Sequence, residues 1–370
     1  MEKLVMQNLF GGVYKDKTVL LTGHTGFKGS WLALWLHQMG AKVIGYSLLF
    51  PTEPNHIELL NLDIISIVGD IRDLKLLHQT FTAYKPDIVF HLAAQALVRL
   101  SYENPIETYE TNVMGTLKVF EVCRAHKVKA IVNITSDKAY ENREWVWGYR
   151  ENDPMGGYDP YSSSKGCADI LASSYRSSYF NPLEYKKSHN TLLATCRAGN
   201  VIGGGDWATD RLMTDIILSV AEGKKVSIRN PNATRPWQHV LEPLSGYLLI
   251  GQKLLEEKVE FGEAWNFGPS DEGSITVEKV VQNVKKYWDK IDYEINRDPS
   301  QLHEANLLKL DCSKAHILLK WKDVWDSETT FEKTVLWYKN FYENNVIDTS
   351  DDLRQYILDA KKKNLEWSGI

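Results

Sequence analysis

Tyr161 and Lys165 stand four residues apart in the run Tyr161-Ser162-Ser163-Ser164-Lys165. On a helix that spacing puts both on one face. A phenol with its ordinary pKa of about 10 is a poor base at neutral pH. A neighbouring ammonium, and any cationic ring bound beside it, favours the phenolate and lowers that value. The pair can then take the proton of a hydroxyl while the carbon beneath loses hydride. Upstream, Ile134-Thr135-Ser136-Asp137-Lys138 places a hydroxyl, an acid and a base in consecutive positions. Ser136 suits a hydrogen bond to the reacting oxygen, and oxidising an alcohol needs nothing more. Asp137 and Lys138 therefore imply proton chemistry at neighbouring carbons. To act as a base Lys138 has to be partly neutral, and desolvation together with the Lys165 charge pushes it that way. The plainer alternatives are an exposed Tyr–Lys helix face and a charged turn at a strand end. Adjacent residues of a regular strand point oppositely, so the chain must leave strand geometry before Asp137 if both groups are to reach one substrate.

The elements that must carry these residues begin with a glycine loop. Thr22-Gly23-His24-Thr25-Gly26-Phe27-Lys28-Gly29 lies between the apolar run Thr18–Thr22 and a helical stretch at Ser30–Met39, with Gly40 placed to end it. Such glycines let backbone N–H groups close on a pyrophosphate at a helix N-terminus. Gly23, Thr25, Gly26, Phe27, Lys28 and Gly29 are the cofactor-binding candidates here. Further strands are expected at Ala41–Tyr46, Ile64–Gly69, Ile88–Leu92, Ala130–Thr135 and Thr191–Arg197, and helices at Leu74–Tyr84, Ile106–Arg124 and Ser162–Ser177. This alternation predicts an α/β fold: a Rossmann-type, doubly wound parallel sheet. Beyond Gly203 the rhythm changes to turn clusters and helices near Leu212–Glu222, Val277–Tyr287 and Thr329–Glu343. A dinucleotide-binding domain over 1–198 and a smaller mixed substrate domain over 199–370 follow, with some late segments free to return to the first.

In an open α/β sheet, ligands lie outside the carboxyl ends of the strands. The loops expected there are Gly23–Gly29, Asp70–Asp73, Leu92–Gln95 and Thr135–Lys138. They add Asp70, Ile71, Leu92, Ala93 and Ala94 to the cofactor candidates, with Asp70 able to accept from an adenine amine or to serve only as a turn residue. An acidic ribose reader is expected roughly 20 positions after the glycines. It is missing, because the second strand ends Gly45-Tyr46-Ser47-Leu48, and no arginine stands there for a 2′-phosphate. These residues leave NAD against NADP open. His24 and Lys28 either add positive charge beside a pyrophosphate or face solvent.

Bulk composition narrows the classes. The 370 residues are 43% hydrophobic and 25% charged, with a net charge of −5. That is an ordinary globular balance without the clustered Lys and Arg of a nucleic-acid surface. Cys123, Cys167, Cys196 and Cys312 are scattered, with no Cys-x-x-Cys pair, so neither a metal site nor a disulfide framework is expected and a reducing, cytoplasmic setting fits. No apolar run approaches the roughly 18 residues of a membrane span, and Met1–Met6 does not read as a signal peptide.

The chain resembles the extended short-chain dehydrogenase/reductase family, and within it the nucleotide-sugar 4,6-dehydratases, from Lys17 to about Trp321. The carriers are the glycine loop, the runs at 69–73 and 91–95, Thr-Asn-Val-x-Gly-Thr at 111–116, Thr-Ser-Asp-Lys at 135–138, Arg-Ala-Gly-Asn-Val-Ile-Gly-Gly-Gly-Asp-Trp at 197–207, Arg-Pro-Trp-Gln-His-Val at 235–240 and His-Glu-Ala at 303–305. Most of these dehydratases have Asp-Glu where this chain has Asp137-Lys138; the lysine is shared with members that act on CDP-glucose and with some that act on UDP-N-acetylglucosamine. The resemblance implies tightly held NAD, a part for Thr111 in its site, CDP-glucose as substrate, and a dimer or tetramer formed through Ile106–Arg124 and Ser162–Ser177. It also implies that Asn200 and Arg235 hold the substrate pyrophosphate, that Arg211 and Arg229 flank the nucleotide, and that His303 lies in a loop closing over it. Trp207 and Trp237 either stack on the base or pack in the core. Two alternatives stand beside a dehydratase: an epimerase or simple dehydrogenase on the same scaffold, and a non-catalytic NAD-sensing protein.

Overall fold

The computed structural model describes residues 6–228, 231, 234–269, 274–296 and 307–369. Arg229 and His303 lie outside the described residues. Seven strands form one all-parallel sheet: β1 (Thr18–Thr22), β2 (Lys42–Ser47), β3 (Ile65–Val68), β4 (Ile88–His91), β5 (Ala130–Ile134), β6 (Leu192–Ala198) and, entering from the second half of the chain, Ala264–Phe267. Their spatial order puts Ala264–Phe267 at one edge, then β6, β5, β4, β1, β2 and β3. The chain winds outward from β1 to β3, then restarts at β4 on the other side of β1. The β1/β4 junction is therefore the switch point at which a crevice opens.

Helices cover both faces. α1 (Phe27–Gln38) is apolar all round, with Trp31 through Leu36 buried, because it lies between the sheet and the late helices. It starts at Phe27, not at Ser30, since Gly29 falls inside its first turn and its glycine hides the helix in the sequence pattern. α2 (Leu74–Tyr84) follows β3. The expected Ile106–Arg124 helix, α3, is interrupted: Pro105–Tyr109 and Thr116–Ala125 are α-helical, and Glu110–Gly115 between them is a π-turn. There Gly115 packs against Ile71, whose Cδ1 would lie 2.5 Å from any Cβ at that position. α4 (Pro160–Ser178) is capped by Asp159, which accepts from the Ser162 N–H at 2.8 Å.

The second half builds a three-stranded sheet from β7 (Asn200–Ile202), Thr234–His239 and Ser274–Thr276, mixed in direction. Leu212–Ala221, Val277–Lys285 and Ser327–Asn344 pack around it through Trp207, Trp237, Phe331 and Trp337. α5 (Leu241–Leu255) has no polar stripe to reveal it in the sequence, because nearly every residue is buried against β5 and β6. Its first turn carries Glu242, 1% exposed, whose carboxyl accepts from the N–H groups of Val324 and Trp325 at 3.0 and 2.8 Å and from the Tyr356 hydroxyl at 2.8 Å. This one side chain fastens the C-terminal helix Thr349–Lys362 and the turn before Ser327 onto the first sheet's covering layer.

Glu242→Ala would strand the buried Val324 and Trp325 N–H groups and leave the Tyr356 hydroxyl only its 3.3 Å bond to Ser245, and unfolding in urea should show a loss of about 2 kcal/mol or more. Acid sensitivity follows from four buried imidazoles. Burial lowers His24 to about 4 and His56, His91 and His239 to about 3. A depressed folded pKa means their stabilisation is complete above the unfolded value of about 6.5 and is lost as pH falls toward the folded values. Urea midpoints should drop as pH falls below about 6, each histidine costing about 1.4 kcal/mol per pH unit.

Candidate active site

Gly23 has φ of +78°, and a Cβ there would meet the Ala93 N–H nitrogen at 2.8 Å, so the β1 and β4 loops touch through it. A Cβ on Gly29 would collide with the Gly23 carbonyl, which is why the helix can begin so close to the loop. No side chain caps α1, and Gly26 occupies the N-cap. The first-turn N–H groups of a helix have no intrahelical partner, so this cradle fits the pyrophosphate of a dinucleotide. Thr22 Oγ1 accepts from the N–H groups of Leu92 and Ala93, both at 3.2 Å, and bonds His91 Nδ1 at 2.7 Å. Ala94 follows in the same half-buried loop, and Thr111 lies half-buried in the π-turn of α3.

His24 takes neither of its expected places. It is buried and neutral, bridging the Ser47 and Ser66 hydroxyls at 2.9 and 2.7 Å across Gly45. It therefore fills the end of β2, where an acidic ribose reader is missing. Lys28 is half-buried. Burial lowers it to about 8, the Asp137 carboxylate pulls it back up, and the Arg211 and Lys165 charges oppose it. Asp70 is engaged by Arg72, through the N–H at 2.7 Å and the guanidinium at 2.6 to 3.0 Å, which holds its carboxyl below the usual range. Ile71 is buried beside Gly115.

β5 ends at Ile134, and the chain turns into a single 3-10 turn at Asp137–Ala139. Ser136 caps that turn: its hydroxyl accepts from the Lys138 N–H at 3.2 Å and donates to Asp137 Oδ1 at 2.9 Å. Ser136 is still extended, and the departure from strand geometry demanded by the sequence occurs between it and Asp137, where the turn begins. Lys138 Nζ lies 5.9 Å from the centre of the Tyr161 ring. Burial raises the Asp137 carboxyl above its ordinary value, with Lys138 and Lys28 opposing. A shift in this direction favours the proton-donating form of the carboxyl.

The Tyr161 phenol differs from expectation. Burial pushes it up to about 12; hydrogen bonding with Ser136 and the Arg211 charge lower it, and Lys165 is not among the groups that act on it most. Lys165 is itself lowered to about 8 by burial, with Asp169 restoring part of its basicity. The protein groups alone leave this tyrosine protonated at neutral pH, so a cationic ligand at the switch point would have to supply the remaining stabilisation of a phenolate.

Arg211 is held by Asp206 at 2.6 Å, and its charge reaches Tyr161. Asn200 sits in β7 opposite Trp237, and Arg235 pairs with Ile275 in the next strand. Trp207 and Trp237 are core residues, 4% and 6% exposed, with the Trp207 indole donating to the Tyr342 hydroxyl at 3.1 Å. Asn112 was not among the sequence candidates. Its amide donates to Ser164 Oγ at 2.8 Å and to the Gln95 carbonyl at 3.0 Å, joining α3, the β4 loop and the Tyr161 helix. The run at 111–116 contained the signal; only the π-turn gives it a role. Among the described residues no cluster of three or more His, Cys, Asp or Glu is placed to hold a metal ion, and no helix is long and apolar enough to cross a membrane.

The family model described as GDP-mannose 4,6 dehydratase matches residues 20–335. The chain is 53% identical over 349 residues to the CDP-glucose 4,6-dehydratase of Salmonella typhimurium (strain LT2), covering 93% of this chain and 97% of that one. Among solved structures, the UDP-glucose 4-epimerase of Thermotoga maritima with UDP-glucose aligns with a TM-score of 0.76 at 23% identity, covering 88% of this chain and 100% of that one. The dTDP-glucose 4,6-dehydratase of Bacillus anthracis (strain Ames) in complex with NAD aligns at 0.72 with 22% identity, covering 88% and 97%. Epimerase and dehydratase share this fold, so fold alone does not separate them.

Gly199 offers a local test of the site. A Cβ there would stand 3.0 Å from Asp137 Oδ2. Gly199→Ala should displace the carboxylate and lower kcat by roughly tenfold, as small misplacements of reacting groups do, with the urea midpoint close to that of the parent protein.

Proposed function

We propose, for a chain that belongs to the GDP-mannose 4,6 dehydratase family of nucleotide-sugar enzymes, that it removes water from CDP-glucose to give CDP-4-keto-6-deoxyglucose, a step of deoxysugar biosynthesis. The observation that carries the reading is the Ser136–Lys138 turn, which brings an acid and a base to the Tyr161/Lys165 pair. An epimerase has no use for the additional two. Cytosine as the base rests on the 53% identity to the Salmonella enzyme.

NAD fits the Gly23–Gly29 cradle and, when bound, supplies the hydride acceptor that oxidises C4 and returns the hydride to C6. Tyr161 takes the C4 hydroxyl proton. The C4 ketone acidifies C5, whose proton Lys138 removes. Asp137, whose carboxyl burial raises above its ordinary value, is the group placed to donate to the departing C6 hydroxyl. Lys138 then returns a proton to C5. Ser136 donates to Asp137 and lies close enough to Tyr161 to lower its phenol, so it offers a path by which the proton gained at Tyr161 restores Asp137. Asn200 and Arg235 are assigned to the substrate pyrophosphate, Arg211 and Arg229 to the flanks of the nucleotide, a charge pattern that suits a diphosphate, and His303 to the loop over it. The division of labour falls at 198/199, cofactor before and nucleotide sugar after.

A homo-oligomer formed through α3 and α4 accounts for the exposed apolar side chains there: Ile106 at 75%, Met114 at 46% and Ile170 at 58%. Four unpaired thiols fit a reducing cytoplasm.

CDP-glucose carrying deuterium at C4 should yield product with deuterium at C6, read by NMR; label released to the medium would sink the cycle. Asp137→Asn and Lys138→Ala should each lower kcat by about 100-fold or more, and Lys138→Ala run in D2O should incorporate no solvent deuterium at C5. Full activity in both variants would move the assignment to an epimerase. In a thermal-shift panel of CDP, UDP, dTDP and GDP sugars, the CDP sugar should raise the melting temperature most.

A further inference from the structure

We propose that the buried Asp169–Arg197 ion pair is the positioning element that holds the Ser136–Lys138 turn and the Lys165 ammonium in one alignment. The inference rests on the roles proposed above for Asp137, Lys138 and Lys165. It fails separately from them, because the parent protein would stay active.

Asp169 lies one turn after Lys165 on α4, and Arg197 is near the end of β6. They are 2% and 3% exposed, and the guanidinium meets the carboxylate through two nitrogens at 2.7 and 3.0 Å. Each partner reaches one end of the catalytic turn. Before it, the Thr135 hydroxyl donates to Asp169 Oδ2 at 2.7 Å. After it, Arg197 Nη1 donates to the Tyr140 hydroxyl at 2.5 Å, and Tyr140 donates onward to Asn266 Oδ1 at 2.8 Å. The same Nη1 holds the Glu151 carbonyl at 3.0 Å. Two residues beyond Arg197, Gly199 abuts the Asp137 carboxylate.

Burial of both ions is costly, and a purely structural role could be filled by apolar side chains of similar volume without loss of stability. What apolar side chains cannot supply is the pair of anchors on Thr135 and Tyr140, nor the negative charge beside Lys165. The charged and titratable groups around Lys165 are Asp169 and Tyr161 on α4, Lys28 on α1, His91 on β4, Asp137 and Lys138 on the turn, and Arg197 on β6. Asp169 is the group that favours its ammonium. Without that charge the ammonium loses its proton at lower pH.

The test compares Asp169→Asn, Asp169→Glu and the double variant Asp169→Leu/Arg197→Met with the parent enzyme, turning over CDP-glucose with NAD. Asp169→Asn should lower kcat at least tenfold with KM within about twofold, a split expected when alignment rather than binding is lost. The alkaline limb of its kcat profile should move down by about one pH unit. Asp169→Glu should restore the limb. The double variant should melt within a few degrees of the parent and remain slow. A double variant with parental kcat and pH profile would overturn the proposal, as would an unmoved alkaline limb in Asp169→Asn. If none of the variants folds, the pair is a folding element and the proposal falls.

Discussion

Three consecutive side chains of a strand cannot serve one substrate, because the pleat sends each to the face opposite its neighbour. The site depends on how the chain escapes this constraint after β5. Ser136 stays extended, caps a single 3-10 turn and bonds the next two residues, so Asp137 and Lys138 are delivered together at the sheet's carboxyl edge. The rest of the architecture serves that turn. β6 runs beside it and brings Gly199, with no side chain, against the Asp137 carboxylate. α4 sets Tyr161 under Lys138, with Asp159 and Pro160 fixing where that helix begins.

Burial then sorts the ionisable groups. Asp137 is raised, while Lys28 and Lys165 fall to about 8. A carboxyl raised in this direction is biased toward the proton-donating form that an elimination needs on its leaving-group side. The same desolvation drives Tyr161 the other way, to about 12. Ser136 and Arg211 pull it part of the way back, and a cationic ring bound beside it would supply the remainder needed for a phenolate.

The two halves of the chain are interlocked rather than strung in series. Ala264–Phe267 completes the first sheet and α5 covers β5 and β6. The Trp31 indole of α1 donates to the Gly204 carbonyl at 2.9 Å, and Glu242 ties the last helix to this layer. Such cross-linking keeps the edge that carries Asn200 and Arg211 in register with the edge that carries Asp137 and Tyr161.

Local spacing was enough for the parallel α/β sheet, the glycine loop, and the grouping of Ser136, Asp137, Lys138, Tyr161 and Lys165. Each of these is written in a period, a turn residue or a pair separation, which are short-range properties of the chain. The buried helix α5 was illegible for the converse reason: a helix apolar on every side has no period to read. The start of α1 was masked by Gly29, whose purpose is an approach to Gly23 that only the folded loop contains. His24 and Lys28 looked alike as cationic loop residues. Their opposite fates, one neutral between two serines of neighbouring strands and one turned toward Asp137, depend on β2, β3 and β5, distant in sequence. Asn112, Asp169 and Arg197 acquire their roles the same way, through partners 17 to 57 residues away. Residue types and local periods determined what chemistry this chain carries. Burial and long-range pairing, which exist only once the sheet has closed, decided which groups hold a proton and what keeps them aligned.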